Sequence, residues 1–219
     1  MGRSLRLAIA VLLLAGASSL PAQTSQVTQV LDNSALRPPA GANVAIVEFD
    51  DLECPACARF NPVLKAAAER YKIPWIRHDL LIPYHPWSRS AAINARWFDA
   101  QGNGLGDAYR DAVFANQSSI YSVNMLDRFT QDFAHNHNVT LPFILDPQNK
   151  LAAVVDADNA LGKRTGITHT PTIFIVTAHS KGAPFIEVGD PERDLYRAID
   201  QALVDTKQTT APAQRKAHK

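Results

Sequence analysis

Cys54 and Cys57 are the only cysteines in the 219-residue chain, and two residues separate them. On the first turn of a helix, thiols at that spacing can close a small disulfide ring. The free amides of the helix end stabilise whichever sulfur becomes the thiolate, so Cys54 is expected to be the attacking sulfur. Structural zinc sites use the same spacing, but they need a second pair of ligands. There is no third cysteine, and His135 and His137, one residue apart at a predicted helix end, offer poor geometry for completing such a site. A purely structural disulfide is disfavoured because so small a loop restrains little of the unfolded chain. A soft ion such as Cu(I) held between the two thiolates is a further alternative, without support from methionine, since Met1 and Met125 are the only two.

An apolar, β-rich run at 44–49 delivers this pair, and Pro55 suits the first position of a helix because its missing N–H costs nothing there. That helix is predicted to run to about Tyr71, with Pro62 kinking it, and residues 73–82 read as a second strand. Strand, helix and strand make a βαβ unit with parallel pairing. From 83 to 166 the period turns helical, with candidates at 87–101, 105–116, 124–137 and 147–165, the last broken near 156–158. Residues 172–177 and 185–188 follow as strands around a turn at 179–182 containing Lys181-Gly182, which predicts an antiparallel hairpin. A closing helix is expected over 191–204.

Residues 1–22 read as a secretory signal: Arg3 and Arg6 precede an apolar run at 7–15 and then small residues. The run is too short to span a bilayer. Ala17 and Ala22 are the candidate cleavage points, and Ala22 is better spaced. Export places the mature protein in the periplasm or outside the cell, where disulfides persist. Removing two arginines takes the formal charge from +1 to 1 − 2 = −1, which gives no reason to expect a nucleic-acid partner. Residues 23–43 are a polar lead-in with Pro38, Pro39 and Gly41, carrying a short edge strand near 27–31. The basic stretch 206–219 reads as a disordered tail.

The order of strand, Cys54-Pro55-Ala56-Cys57 at a helix start, strand, helical insertion and Thr170-Pro171 leading into an apolar strand resembles the DsbA-type thiol-disulfide oxidoreductases of the thioredoxin-fold superfamily. The resemblance implies an α/β thioredoxin fold with an all-helical insertion (83–166) between a βαβ half (44–82) and a ββα half (167–205). It implies a monomeric enzyme without cofactor that passes the Cys54–Cys57 disulfide to reduced or unfolded client proteins. A quinone-linked membrane oxidase of the DsbB type would reoxidise it. Cys57 is then the resolving and more buried sulfur. Glu48 points inward by strand alternation and matches the family's buried acid beneath the second cysteine, where burial raises its pKa and lets it relay the Cys57 proton. Thr170-Pro171 matches the cis-proline loop, so Thr170 pairs with the client backbone and Pro171 keeps donors and metals off the sulfurs.

Pro55 and Ala56 complete the substrate-facing turn, and His169 stands either beside the dithiol and its client or as a solvated loop residue. Phe49 and Leu52 are expected to line an apolar client surface that Asp50 and Asp51 make acidic. Trp75, Trp87, Trp97, His78 and His85 read as packing and surface residues. Two features depart from the strongly oxidising members. Pro55-Ala56 lacks the histidine before the second cysteine, and Glu53 puts a negative charge beside Cys54. Both predict a less stable thiolate and a less oxidising disulfide. The alternative direction of electron flow is that of an isomerase or reductase kept reduced by a donor, although 23–43 is too short for the added dimerisation domain that such isomerases carry.

Overall fold

The structure is a computed structural model that describes residues 28–178 and 184–210. The expected signal segment, its cleavage points, the turn at 179–182 and the tail beyond 210 lie outside the described residues. β1 (Val44–Asp50), α1 (Pro55–Tyr71) and β2 (Trp75–Asp79) form the first unit. Four helices follow: α2 (Ser88–Ala100), α3 (Leu105–Asn116), α4 (Val123–Asn136) and α5 (Lys150–Thr165). β3 (Thr172–Thr177), β4 (Phe185–Glu187) and α6 (Pro191–Thr210) close the chain. The sheet order is β2-β1-β3-β4. β1 runs parallel to β2 with Glu48 opposite Arg77 and Asp50 opposite Asp79, and antiparallel to β3. The α/β architecture with an all-helical insertion is the one the sequence implied.

All seven residues of β1 are buried, because both faces of the central strand are covered. Val44 and Ile46 pack with Leu64 and Ala67 of α1 and Leu195 and Ile199 of α6. Ala45, Val47 and Phe49 face the other way, toward Leu36, Leu80 and Phe174. The insertion builds a third core around Phe98, Tyr109 and Phe133, and this core takes in Leu52, Cys54 and Cys57. The dithiol therefore sits where the sheet unit meets the insertion.

Three local expectations change. No strand forms over 28–31: Leu31 N–H donates to the Thr165 carbonyl, while the Thr28 amide and hydroxyl donate to the Glu187 carboxylate. A side chain thus takes the bonds a ladder would have used. α5 is unbroken at 156–158 because its aspartates have side-chain partners, Asp156 pairing with Arg89 at the surface and Asp158 turning inward to His78 and Arg96. α6 continues to Thr210, so the first residues assigned to the tail are helical.

Gly162 lets α5 approach the sheet. A Cβ there would lie 2.8 Å from Leu80 Cδ1 and 3.2 Å from Phe49 Cδ1. Overpacking of this kind costs about 1 to 3 kcal/mol against a helix-propensity gain of about 1 kcal/mol. Gly162→Ala is accordingly expected to lower stability by up to about 2 kcal/mol, read from the denaturant midpoint at unchanged slope.

Candidate active site

Cys54 is the N-cap of α1, with extended backbone (φ −79°, ψ 120°), and Pro55 opens the helix. The loop that leads to it is tied down from several sides. Cys54 N–H donates to the Asp51 carbonyl, and the Asp51 carboxylate accepts from the amides of Glu53 and Ile82. His85 Nδ1 stands 3.0 Å from the same carboxylate. From the end of α3, Gln117 Nε2 donates to the carbonyls of Leu52 (2.7 Å) and Cys54 (3.1 Å). The Glu53 carboxylate is turned toward the start of α2, where it accepts from the Trp87 amide.

Both cysteines are free thiols; Cys54 is 7% exposed and Cys57 fully buried. Cys54 Sγ donates to the Thr170 carbonyl at 3.4 Å, and the Thr170-Pro171 peptide is cis. The Cys57 side chain holds the Cys54 thiol down to about 6, helped by the Thr170 side chain and the amides of Cys57 and Ala56, against the opposing effect of burial. Burial pushes Cys57 well up, and the neighbouring charges of Cys54, Asp50 and Glu48 push it further. One thiol is thus prepared as a thiolate and the other as a thiol. Pro55 and Ala56 are exposed on the turn between them.

Beneath α1 lies a buried group of charges. Glu48 is 1% exposed and accepts from Trp75 Nε1 at 3.0 Å. Arg77 stacks on the Trp75 ring, 3.7 Å from its centroid, with Nε 3.8 Å from the Glu48 carboxylate. Burial raises Glu48 to about 8, the charge of Asp50 adds to this, and Arg77 and Trp75 oppose it. Asp50, two residues on along the same strand, is 3% exposed. Arg110 reaches in from α3 and is held by two 2.7 Å bonds to Asp99.

The thioredoxin family model matches residues 39–183, about two thirds of the chain. The chain belongs to the thioredoxin family. Among solved structures, Wolbachia pipientis alpha-DsbA1 is 18% identical with a TM-score of 0.63, covering 78% of this chain and 92% of that one. A periplasmic thioredoxin-like protein from Salmonella enterica serovar Typhimurium is 20% identical with a TM-score of 0.60, covering 80% and 94%. The fold of this thioredoxin-family protein is therefore of the DsbA type. A curated relative, the Na(+)/H(+) antiporter NhaA 3 of Salinispora tropica, is 26% identical over 157 residues, which is 66% of this chain and 22% of the antiporter. The chain spans about a quarter of the length of the curated relatives it matches.

Within this family frame the structure gathers Cys54, Cys57 and Thr170-Pro171 at one point, with Glu48 buried below. His169 is placed differently. Its carbonyl accepts from the Thr172 hydroxyl, and the residue borders a cavity of about 650 Å3 with Thr28, Leu31 and Lys163; it makes no hydrogen bond to either sulfur. Phe49 is not part of an exposed client surface, since it is buried against His78 and the α5 side of the sheet. Leu52 is likewise packed in the insertion core. Asp50 and Asp51 are both buried and do not make the surface acidic. Sequence reasoning missed Arg77, Trp75 and Gln117, which hold the acid and the loop. Asp50 did leave a signal: it shares the strand parity of Glu48. Among the described residues, no group of three or more His, Cys, Asp or Glu side chains is arranged to hold a metal, and no helix is long and apolar enough to cross a membrane.

Proposed function

We propose that this protein is an extracytoplasmic thiol-disulfide oxidoreductase that donates the Cys54–Cys57 disulfide to folding envelope or secreted proteins. The observation that carries this reading is the split between the two thiols: Cys54 is lowered to about 6 at the cis-proline loop, while Cys57 is buried and raised. A client thiolate attacks Cys54 Sγ, the Cys54–Cys57 bond breaks, and Cys57 departs and takes up a proton, which Glu48 supplies. A second client thiolate then attacks the client sulfur of the mixed disulfide, and Cys54 leaves as the better leaving group. The client gains a disulfide and the enzyme holds two electrons. Thr170 aligns the client backbone as an added strand. Reoxidation by a quinone-linked membrane oxidase of the DsbB type, action as a monomer and residence in the periplasm are part of this proposal, and the likeness to DsbA-type structures supports them.

Alkylation of the reduced protein should follow a single midpoint near pH 6, with Cys57 unmodified until the protein is unfolded. A Cys54 midpoint near the ordinary 9.0 would sink the reading. The same depressed pKa makes a stability prediction. The Cys54 thiolate contributes stability that is fully present above pH 9.0 and is lost as pH falls through about 6. The stability advantage of the reduced protein over Cys54→Ser should therefore grow as pH rises through that window.

The reductase direction is the second reading, and the Cys54 value favours keeping it. A value of about 6 lies closer to the thiol of thioredoxin, about 7, than to that of the strongly oxidising enzymes, about 3.5. Equilibration with glutathione buffers separates the two, since a potential near about −120 mV belongs to an oxidase and one near about −270 mV to a reductase.

A further inference from the structure

Glu48 is not the only acid buried near Cys57. Val44, Ile46, Glu48 and Asp50 share one face of β1, the face that α1 covers with Cys57, Asn61 and Leu64. Asp50 Oδ2 is buried and meets no hydrogen-bond partner. Arg77, on the neighbouring strand, has two further buried nitrogens without a hydrogen bond, Nε and Nη1, which stand 3.8 Å from the Glu48 and Asp107 carboxylates. Its Nη2 donates to Asn61 Oδ1, and Asn61 in turn donates to Asp111 of α3 at 2.7 Å. Buried polar groups without hydrogen bonds are costly, so a cluster of them beside a reactive thiol calls for a function.

A cavity of about 260 Å3 reaches Arg77 and Trp75, the two residues that contact Glu48. Lys65, Glu69, Asp107 and Asp111 complete its wall, and the Asp107 side chain is 74% exposed. The cavity is polar and large enough for water. Glu48, Asp50 and Cys57 are not in its wall, but two residues that are, Arg77 and Trp75, contact the Glu48 carboxylate, so the cavity ends one side chain away from the buried acids.

We propose that Asp50 and Glu48 together hold the proton that Cys57 gains and loses, and that they exchange it with solvent through the cavity over Arg77. This rests on the thiol-disulfide reading above. When the disulfide opens, the carboxyl pair gives one proton to the departing Cys57 sulfur and recovers one from solvent; Cys54 ends as a thiolate. When the disulfide re-forms, Cys54 is first joined to one sulfur of an oxidising partner's disulfide; the pair, having released a proton to solvent, takes the Cys57 proton as the Cys57 sulfur attacks Cys54, and the partner's sulfur leaves as a thiolate.

The surroundings agree with a shared proton. Two carboxyls close together in a buried site do not both ionise easily. The groups that face Glu48 are Asp50, Arg77, Trp75 and Cys54, and those that face Asp50 are Arg77, Asp79, Arg110 and Asp51. Burial lifts Asp50 to about 6, with Arg77 and Arg110 restraining the rise. Among the acids that push Cys57 up, Asp50 stands ahead of Glu48.

The test is a side-chain carboxyl carbon NMR titration of the reduced and oxidised protein, repeated on Asp50→Asn and Glu48→Gln. Asp50 is expected to titrate well above an ordinary aspartate, and its midpoint should move with the redox state of Cys57. Asp50→Asn should lower the Glu48 midpoint by about one pH unit or more. Each single variant should slow reduction of the disulfide by dithiothreitol about threefold to tenfold near neutral pH, and the double variant about a hundredfold. Asp50 titrating at about 4, indifferent to redox state, would overturn the proposal, as would an Asp50→Asn protein whose Glu48 midpoint stays put. If a variant does not fold, the parent spectra alone decide. A parent that oxidises clients but has an ordinary Asp50 defeats the shared proton only. A parent with the coupled titration that fails to oxidise a reduced client defeats the oxidase reading and supports the carboxyl pair.

Discussion

Cys54→Ser is expected to lower the rate of disulfide transfer to a reduced, unfolded client by about a thousandfold or more, because a hydroxyl neither forms the enzyme disulfide nor leaves as an anion at neutral pH. Cys57→Ala should fail differently. It retains the Cys54 sulfur beside the Thr170 carbonyl, so its thiolate can attack a disulfide of an oxidised client and release the other client sulfur as a thiolate, but no second cysteine resolves the bond, and mixed disulfides should accumulate on non-reducing gels. The Cys54 midpoint in that variant should rise above about 6, since the Cys57 side chain is the largest influence holding it down. Equal loss in both variants with no trapped client would argue against nucleophilic exchange at Cys54.

Arg110→Met is expected to cost about 3 to 5 kcal/mol of folding stability, measured by denaturant unfolding. Arg110 is buried, its fork takes both oxygens of Asp99, and its charge restrains the rise of Asp50 and Asp79. Removing it leaves two buried acids with one cation fewer. Both acids have folded pKa values raised above the ordinary 3.8, so their contribution is intact at low pH and is lost as pH rises through the folded values. The loss in Arg110→Met should accordingly be larger at pH 8 than at pH 5. Leaving Asp99 in place matters less, because its exposed position at the edge lets water take over.

The elements near the dithiol were legible because local signals agree there. A short β-rich run, a proline at the helix start and a second strand after the helix all pointed to one βαβ unit, and the structure has it at 44–79. The cis peptide at Thr170-Pro171 also fell where the motif put it. The burial of Asp50 and Asp51 was not legible. Adjacent acids before Glu53 look solvated in the chain, and what admits them to the interior comes from far along it: the amide of Ile82, Arg77 on the next strand and Arg110 in the insertion. Strand parity alone would have paired Asp50 with Glu48, but parity does not say that a cation will arrive. The same limit applies to Gln117, whose carboxamide reaches carbonyls more than sixty residues earlier in sequence.

That carboxamide has a consequence for speed. With Gln117 on the carbonyls of Leu52 and Cys54, and Glu53 fixed to the Trp87 amide, the main chain around the sulfurs is already held in place before a client arrives. The entropy of ordering it is met once, during folding. Passing between dithiol and disulfide then requires turning two cysteine side chains within a stiff frame. The reorganisation that slows electron-pair transfer in a floppy site is largely absent.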